Sequence, residues 1–211
     1  VKEVFENLRG FLKRNKSPDY SFVYDQVVIF GEILSTKIIN SYLIHSNIRC
    51  NWLDARTLIK TDSKYRDANL NWEITKNSIS NGVNTKLLNI TQGFIASDSN
   101  NFSTTLGREG SDYTAAIFAY CLNAESVTIW KDVPGVLNAD PRVFKKPQLL
   151  NKISYTEAIE LAFYGASVIH PKTLQPLQKK EIPLYVKSFL NPSGNGTAIS
   201  RGTKIDPLIP C

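Results

Sequence analysis

The run Thr104-Thr105-Leu106-Gly107-Arg108-Glu109-Gly110-Ser111-Asp112-Tyr113-Thr114-Ala115-Ala116 concentrates the side chains best suited to chemistry in this chain. A polar, glycine-punctuated loop carrying an arginine, a serine and an aspartate leads directly into an alanine-rich helical stretch. The unpaired N–H groups of a helix start attract anions. Arg108 adds a permanently charged planar fork that suits a carboxylate or a phosphate. Asp112 adds a carboxylate that could hold an amine, a cation or a lysine. On spacing alone two readings stay open: a site for a charged ligand, and a structural helix cap, which needs only one such residue.

Further candidates fall where a strand hands over to a loop or helix. Gly93 and Phe94 follow a strand expected to end at Thr91, and Lys131 and Asp132 follow one expected to end at Trp130. Glu32 is expected in the first turn of a helix opening at Gly31, after the short apolar run Gln26–Phe30. In open α/β sheets, ligands bind outside the carboxyl ends of the strands. Each candidate also has a plainer explanation. A glutamate in a first helical turn is favoured by the helix dipole, by roughly 0.3–1 kcal/mol. Phe94 suits core packing, and Lys131 to Arg142 suits a surface loop with salt bridges, with Asp140-Pro141 as a turn. His170 reads as structural and His45 as a surface residue.

The elements that must position these residues alternate. Val1, Val4, Phe5, Leu8 and Leu12 recur at helical spacing. Strands are expected at 48–53, 86–91, 126–130, 184–188 and 197–200, the second of them buried. Helices are expected from Gly31, at 72–80, at 111–122, and from Pro171 to about Lys180. Ser154-Tyr155-Thr156-Glu157 is a capping box, with Gly165 as the matching stop. Residues 54–71 and 92–101 read as irregular. Such alternation argues for an α/β fold with one mainly parallel sheet covered by helices on both faces.

Bulk properties exclude some classes. The formal net charge is +6, but the cations are scattered apart from Lys13-Arg14-Asn15-Lys16, so the reading is of no nucleic-acid partner. The excess charge instead suits an anionic substrate such as a nucleotide. No apolar run is read as approaching the ~20 residues of a membrane span. Cys50, Cys121 and Cys211 are odd in number and widely spaced, which argues against a disulfide framework or zinc site and for a reducing compartment. The charged opening Val1-Lys2-Glu3 reads as no signal peptide, so a cytoplasmic location is expected.

Five ordered segments carry a family resemblance. They are Gly31-Glu32-Ile33-Leu34-Ser35, Ile90-Thr91-Gln92-Gly93-Phe94-Ile95, the Thr104–Ala116 run, Asp132-Val133-Pro134-Gly135-Val136 with Ala139-Asp140-Pro141-Arg142, and Gly165-Ala166 with Val168-Ile169-His170-Pro171. In order and spacing they resemble the aspartokinases of the amino acid kinase family. The resemblance implies a three-layer αβα sandwich and transfer of a phosphoryl group from ATP, with Mg²⁺, to the β-carboxylate of L-aspartate. That is the entry step to lysine, threonine and methionine. It further implies that Glu32 holds the substrate ammonium group and Arg108 a substrate carboxylate. Phe94 and Ser111 would complete the amino-acid site, Asp112 would orient the reacting groups, and Lys131, Asp132, Arg142 and Ser167 would lie at the nucleotide. No residue is assigned to hold the metal. A homo-oligomer is expected for the full-length protein.

The departures weaken the nucleotide side. The family usually carries threonine at the position of Lys131, tyrosine at that of Leu137 and lysine at that of Ser167. The family's K-F-G-G-[ST]-S loop is also missing, and the chain has no methionine. These features are read as a catalytic domain over residues 1–200, incomplete at its amino end, with 201–211 beginning a linker and little kinase activity in this segment alone. The alternatives are another amino-acid or acyl kinase of the family, and a domain that binds ligands or a partner without turnover.

Overall fold

The computed structural model describes residues 1–163, 168–202 and 205–206. The chain divides into two compact units, Val1–Tyr113 and Thr114–Cys211.

The first unit is organised around one long helix. α1 (Lys2–Arg14) buries Val4 and takes up Lys13 and Arg14 as its last turn. α2 runs unbroken from Tyr20 to His45, its first turn capped by the Asp19 side chain. The expected helix start at Gly31 is therefore corrected. Gly31 lies in mid-helix with open space where a side chain would project, so nothing local forces a break. Glu32 accordingly sits in the middle of α2, and the helix-dipole account of its placement falls. The expectation of no span-length apolar stretch is corrected too. The most apolar window of α2 has a mean hydropathy of 1.5, long and apolar enough by composition to cross a membrane. Asp25, Glu32 and Lys37 interrupt the run in the sequence, which hid its length.

β1 (Cys50–Leu53) pairs in parallel with β2 (Leu88–Thr91). Leu88 is half exposed, so the second strand is less buried than expected. Between them lie the short α3 (Ala55–Leu58) and α4 (Trp72–Gly82), whose cap is the Asn71 side chain. β3 (Ile95–Ser97) and β4 (Ser103–Thr105) form an antiparallel hairpin where the sequence suggested loop. These strands are short and rich in Ser and Thr, yet fully buried. Their polar groups are satisfied by side chains rather than left to water, as burial requires. Thr104 and Thr61 share a hydroxyl hydrogen bond of 2.7 Å. The Gln26 amide donates to Ser103 O at 2.7 Å and accepts from Ser103 N at 3.0 Å.

α5 (Gly110–Leu122) begins in the first unit and continues into the second. There β5 (Val127–Lys131), β6 (Lys152–Ser154), β7 (Leu184–Ser188) and β8 (Thr197–Ser200) form one sheet in the order β5-β7-β8-β6. The β5·β7 and β6·β8 pairs are parallel and β7·β8 is antiparallel. Among the described residues the strands pair as three sheets, two of them wholly or mainly parallel, where the alternation suggested one, because periodicity reveals strands and not their partners.

α6 (Tyr155–Phe163) opens with the expected capping box, Glu157 accepting from Ser154 N at 2.7 Å and Ser154 Oγ from Glu157 N at 3.2 Å. Gly165, its expected stop, lies outside the described residues. α7 (Pro171–Lys180) starts at Pro171, and the His170 ring accepts from Lys172 N at 3.1 Å, giving that histidine the structural role expected. Ile153, Leu174, Leu177, Leu184, Val186 and Ile199 fill the core of this unit. Asp206, expected in a linker, is bridged to Lys152 beside β6.

Candidate active site

The site in the first unit rests on two buried polar residues of α2. Asp25 is wholly buried. Its Oδ2 accepts from Arg66 N and Thr105 N, both at 2.9 Å, and its Oδ1 from the Thr105 hydroxyl at 2.9 Å. Burial pushes this carboxyl above its usual range, and the three donors act against that shift. One side chain therefore ties two loops to the helix: that of Arg66, and the one running from Thr105 through Gly107 to Arg108. Farther along α2, Thr36 Oγ1 accepts from Trp52 Nε1 at 3.1 Å and Gln92 Nε2 at 2.8 Å, and Gln92 Oε1 accepts from Ala55 N at 2.9 Å. The glutamine of the Ile90–Ile95 segment is thus a buried strut, and the residues after it, Gly93 and Phe94, are what it presents.

Phe94 is held in an unusual conformation, φ 72°. Ile95 N–H donates to Gly93 O at 2.9 Å across it, closing a tight turn, while Phe94 O accepts from Leu106 N at 2.9 Å. A bulky residue at positive φ costs about 1–3 kcal/mol and persists only where its surroundings fix it. They do so closely. A Cβ on Gly93 would stand 2.8 Å from Ser111 Oγ, and one on Gly110 would stand 2.7 Å from the Phe94 ring, so both positions need glycine. The two motif runs are interlocked at this point.

A cavity of about 290 Å³ opens beside the interlock, lined by Tyr24, Arg66, Phe94, Gly107 and Arg108. This is near the lower end of the range for small-molecule sites, roughly 300–1,000 Å³. Arg108 and Ser111 are exposed, and Asp112 is half-buried in the first turn of α5. Of the expected amino-acid residues, Phe94 and Arg108 line the cavity, and Ser111 packs against Gly93 beside it. Glu32 is half-buried on α2 and is not among the described lining residues; burial raises its carboxyl above the usual range. Burial also pushes the Tyr113 hydroxyl up to about 12, which keeps it neutral at physiological pH. Tyr24, Asp25, Arg66 and Gly107 were missed as site residues. A signal existed for Asp25, a carboxylate placed within the long apolar helix α2.

In the second unit Lys131 ends β5 half-buried, and Asp132 and Arg142 are exposed on the loop that follows. The loop is fixed at its base by Thr197 Oγ1, which accepts from Val136 N at 2.8 Å. Arg142 is paired with Asp140 through contacts of 2.8, 3.1 and 3.2 Å. That hydrogen-bonded pair holds the Asp140 carboxyl below its usual range and the Arg142 guanidinium above its own. Ser167 lies outside the described residues. Among the described residues no group of three or more His, Cys, Asp or Glu is placed to hold a metal ion.

The sequence profile of the amino acid kinase family matches residues 2–188. The chain belongs to the amino acid kinase family. It is 38% identical to the lysine-sensitive aspartokinase 3 of Escherichia coli over 99% of its own length and 47% of that protein. It is also 38% identical to a chloroplastic bifunctional aspartokinase/homoserine dehydrogenase of Arabidopsis thaliana, over 84% of this chain and 20% of that one. The chain thus spans about half of the first relative and a fifth of the second. Among solved structures, E. coli aspartokinase III in complex with aspartate and ADP superposes with a TM-score of 0.90 at 33% identity, over 96% of this chain and 46% of that one. The UMP kinase of Bacillus anthracis, at 16% identity and a TM-score of 0.60 over 88% and 72% of the two chains, shares the fold. The α/β class expected from the alternation is that of this amino acid kinase family.

Proposed function

We propose that the protein transfers the γ-phosphoryl group of ATP to the β-carboxylate of L-aspartate, giving ADP and 4-phospho-L-aspartate. The observation that carries this reading is the cavity walled by Phe94 and Arg108, with Ser111 packed against Gly93 beside it, built from the two motif runs that interlock at Gly93 and Gly110. A carboxylate oxygen of the substrate attacks the γ-phosphorus while the bond to the β-phosphate oxygen breaks and ADP leaves with the electron pair. An aspartate carboxylate is already ionised at neutral pH, so no base is needed. The protein is left to position the reactants and offset their charge.

Arg108 suits a substrate carboxylate and Glu32 the α-ammonium group, while Asp112 serves as an orienting group rather than a proton acceptor. Lys131, Asp132, Arg142 and Ser167 are assigned to the nucleotide. When bound, Mg²⁺ neutralises phosphate charge. The reading leaves the metal to the nucleotide and water, as is usual for Mg²⁺ at a phosphate site. The proposal extends to a cytoplasmic homo-oligomer for the complete protein. Hydrogen bonds of Asp25, Gln26 and Thr36 within the first unit support a packing role for α2 rather than a membrane one.

The test traps the acyl phosphate with hydroxylamine, using the full reading frame that carries this chain. ATP-dependent hydroxamate from L-aspartate, and little from L-glutamate or acetate, is the expected result. Turnover of another carboxylate in preference would favour a different kinase of the family. Binding of ATP and aspartate without turnover would favour a non-catalytic domain.

A further inference from the structure

The cavity beside Phe94 carries more positive charge than one substrate carboxylate needs. Its described lining includes two arginines, Arg66 and Arg108, together with Tyr24, Phe94 and Gly107, and no acidic residue. The acids nearest in the chain already have partners. Asp25 is buried under the Arg66 backbone and accepts its N–H. Asp67 pairs with Lys64 through Oδ2 at 2.8 Å, and its Oδ1 lies behind Gly107, where a Cβ would stand 2.7 Å from it. Asp62 accepts from Asn69 and from Lys64 N.

Arg66 is exposed, yet its backbone and its side chain are both constrained. Its backbone is left-handed, φ 72°, a conformation that favours glycine. Its guanidinium lies over the rings of Tyr24 and Tyr20, 5.0 and 5.7 Å from their centres. Cation–π stacking of this kind limits the rotamers of a long side chain. An arginine held in advance loses less freedom when an anion arrives.

We propose that Arg66 is a second substrate-binding cation, which with Arg108 makes this cavity selective for a dicarboxylate. The inference rests on the aspartate reading and deepens it: two fixed positive groups match an amino acid that carries two carboxylates.

The test uses Arg66→Gly, because glycine fits the observed φ and the variant should fold at least as well as the parent. Steady-state hydroxamate assays and calorimetric titration with L-aspartate are run on both proteins in the full reading frame. The expected result is a KM for aspartate raised about tenfold to a hundredfold, the usual scale for losing a hydrogen bond to a charged group. The kcat should stay within about twofold, the melting temperature should not fall, and Arg66→Lys should restore part of the affinity. An unchanged KM in Arg66→Gly alongside normal parental turnover overturns the role of Arg66 and leaves the kinase reading intact. If the parent does not turn aspartate over, the kinase reading fails and the titration decides. Weaker aspartate binding by Arg66→Gly upholds the second cation, and equal binding overturns it.

Discussion

Thr105 and Arg142 each belong to a dense motif run, but they are fastened differently. The amide and hydroxyl of Thr105 are held by a buried carboxylate 80 positions away on the long helix α2. The fork of Arg142 is held by Asp140, two positions away, on an exposed loop. The first loop is a product of the tertiary fold, and its shape depends on α2. The second is a local turn whose charges satisfy each other, so its groups are available to a ligand only by giving up an ion pair. Motifs of equal density in the sequence can therefore differ in how rigidly they are presented.

The comparison breaks most readily at Asp25. Replacing Asp25 with Ala leaves two backbone donors and a hydroxyl buried without an acceptor, and should cost about 3–5 kcal/mol of stability. Urea unfolding measures this. A loss below about 1 kcal/mol would mean that the loop holds its shape without the helix. The next effect is on affinity. Arg108→Ala should weaken aspartate binding by about 2–4 kcal/mol, as expected for a charge-assisted bidentate contact, with stability nearly unchanged because the residue is exposed. Calorimetric titration tests it, and unchanged affinity would remove Arg108 from the site.

Much of the second unit was legible. The strands at 184–188 and 197–200 have the observed bounds, and the capping box and Pro171 mark their helices chemically. The first unit was harder. Gly31 looked like a helix start, and three-residue strands of Ser and Thr carry no apolar alternation. Their burial is made possible by Asp25, Gln26 and Thr61, partners far away in sequence. For the same reason Phe94, Arg108 and Ser111 could be named from their motifs, while Asp25 and Arg66 could not.

A smaller effect concerns pH. Burial raises the Glu32 carboxyl, so in the folded state it holds its proton more tightly than in the unfolded chain. Glu32 thus opposes folding slightly above its raised value, and acidification through that interval relieves the penalty. Binding of an ammonium group needs the ionised form. The KM for aspartate should therefore rise as the pH falls from neutral through the raised carboxylate range. Glu32→Gln should bind more weakly and lose that dependence; an identical pH profile in the variant would assign the titration to another group. The smallest effect closes the series. Arg142→Ala should leave the melting temperature unchanged, because its partner is local and solvent-exposed. A clear drop would show that the second loop is fastened more like the first.

The tie between Asp25 and Thr105 also sets how the site exchanges hydrogen with solvent. The Thr105 amide points into α2 from a fully buried strand, and the Arg66 amide shares the same acceptor. The Thr105 amide cannot reach deuterium by loop fraying and must wait until helix and hairpin part, whereas the Arg66 amide sits on an exposed loop. The Thr105 amide should label at the rate of the largest opening of the first unit, the Arg66 amide no later than it, and the amides of the exposed 140–146 segment early.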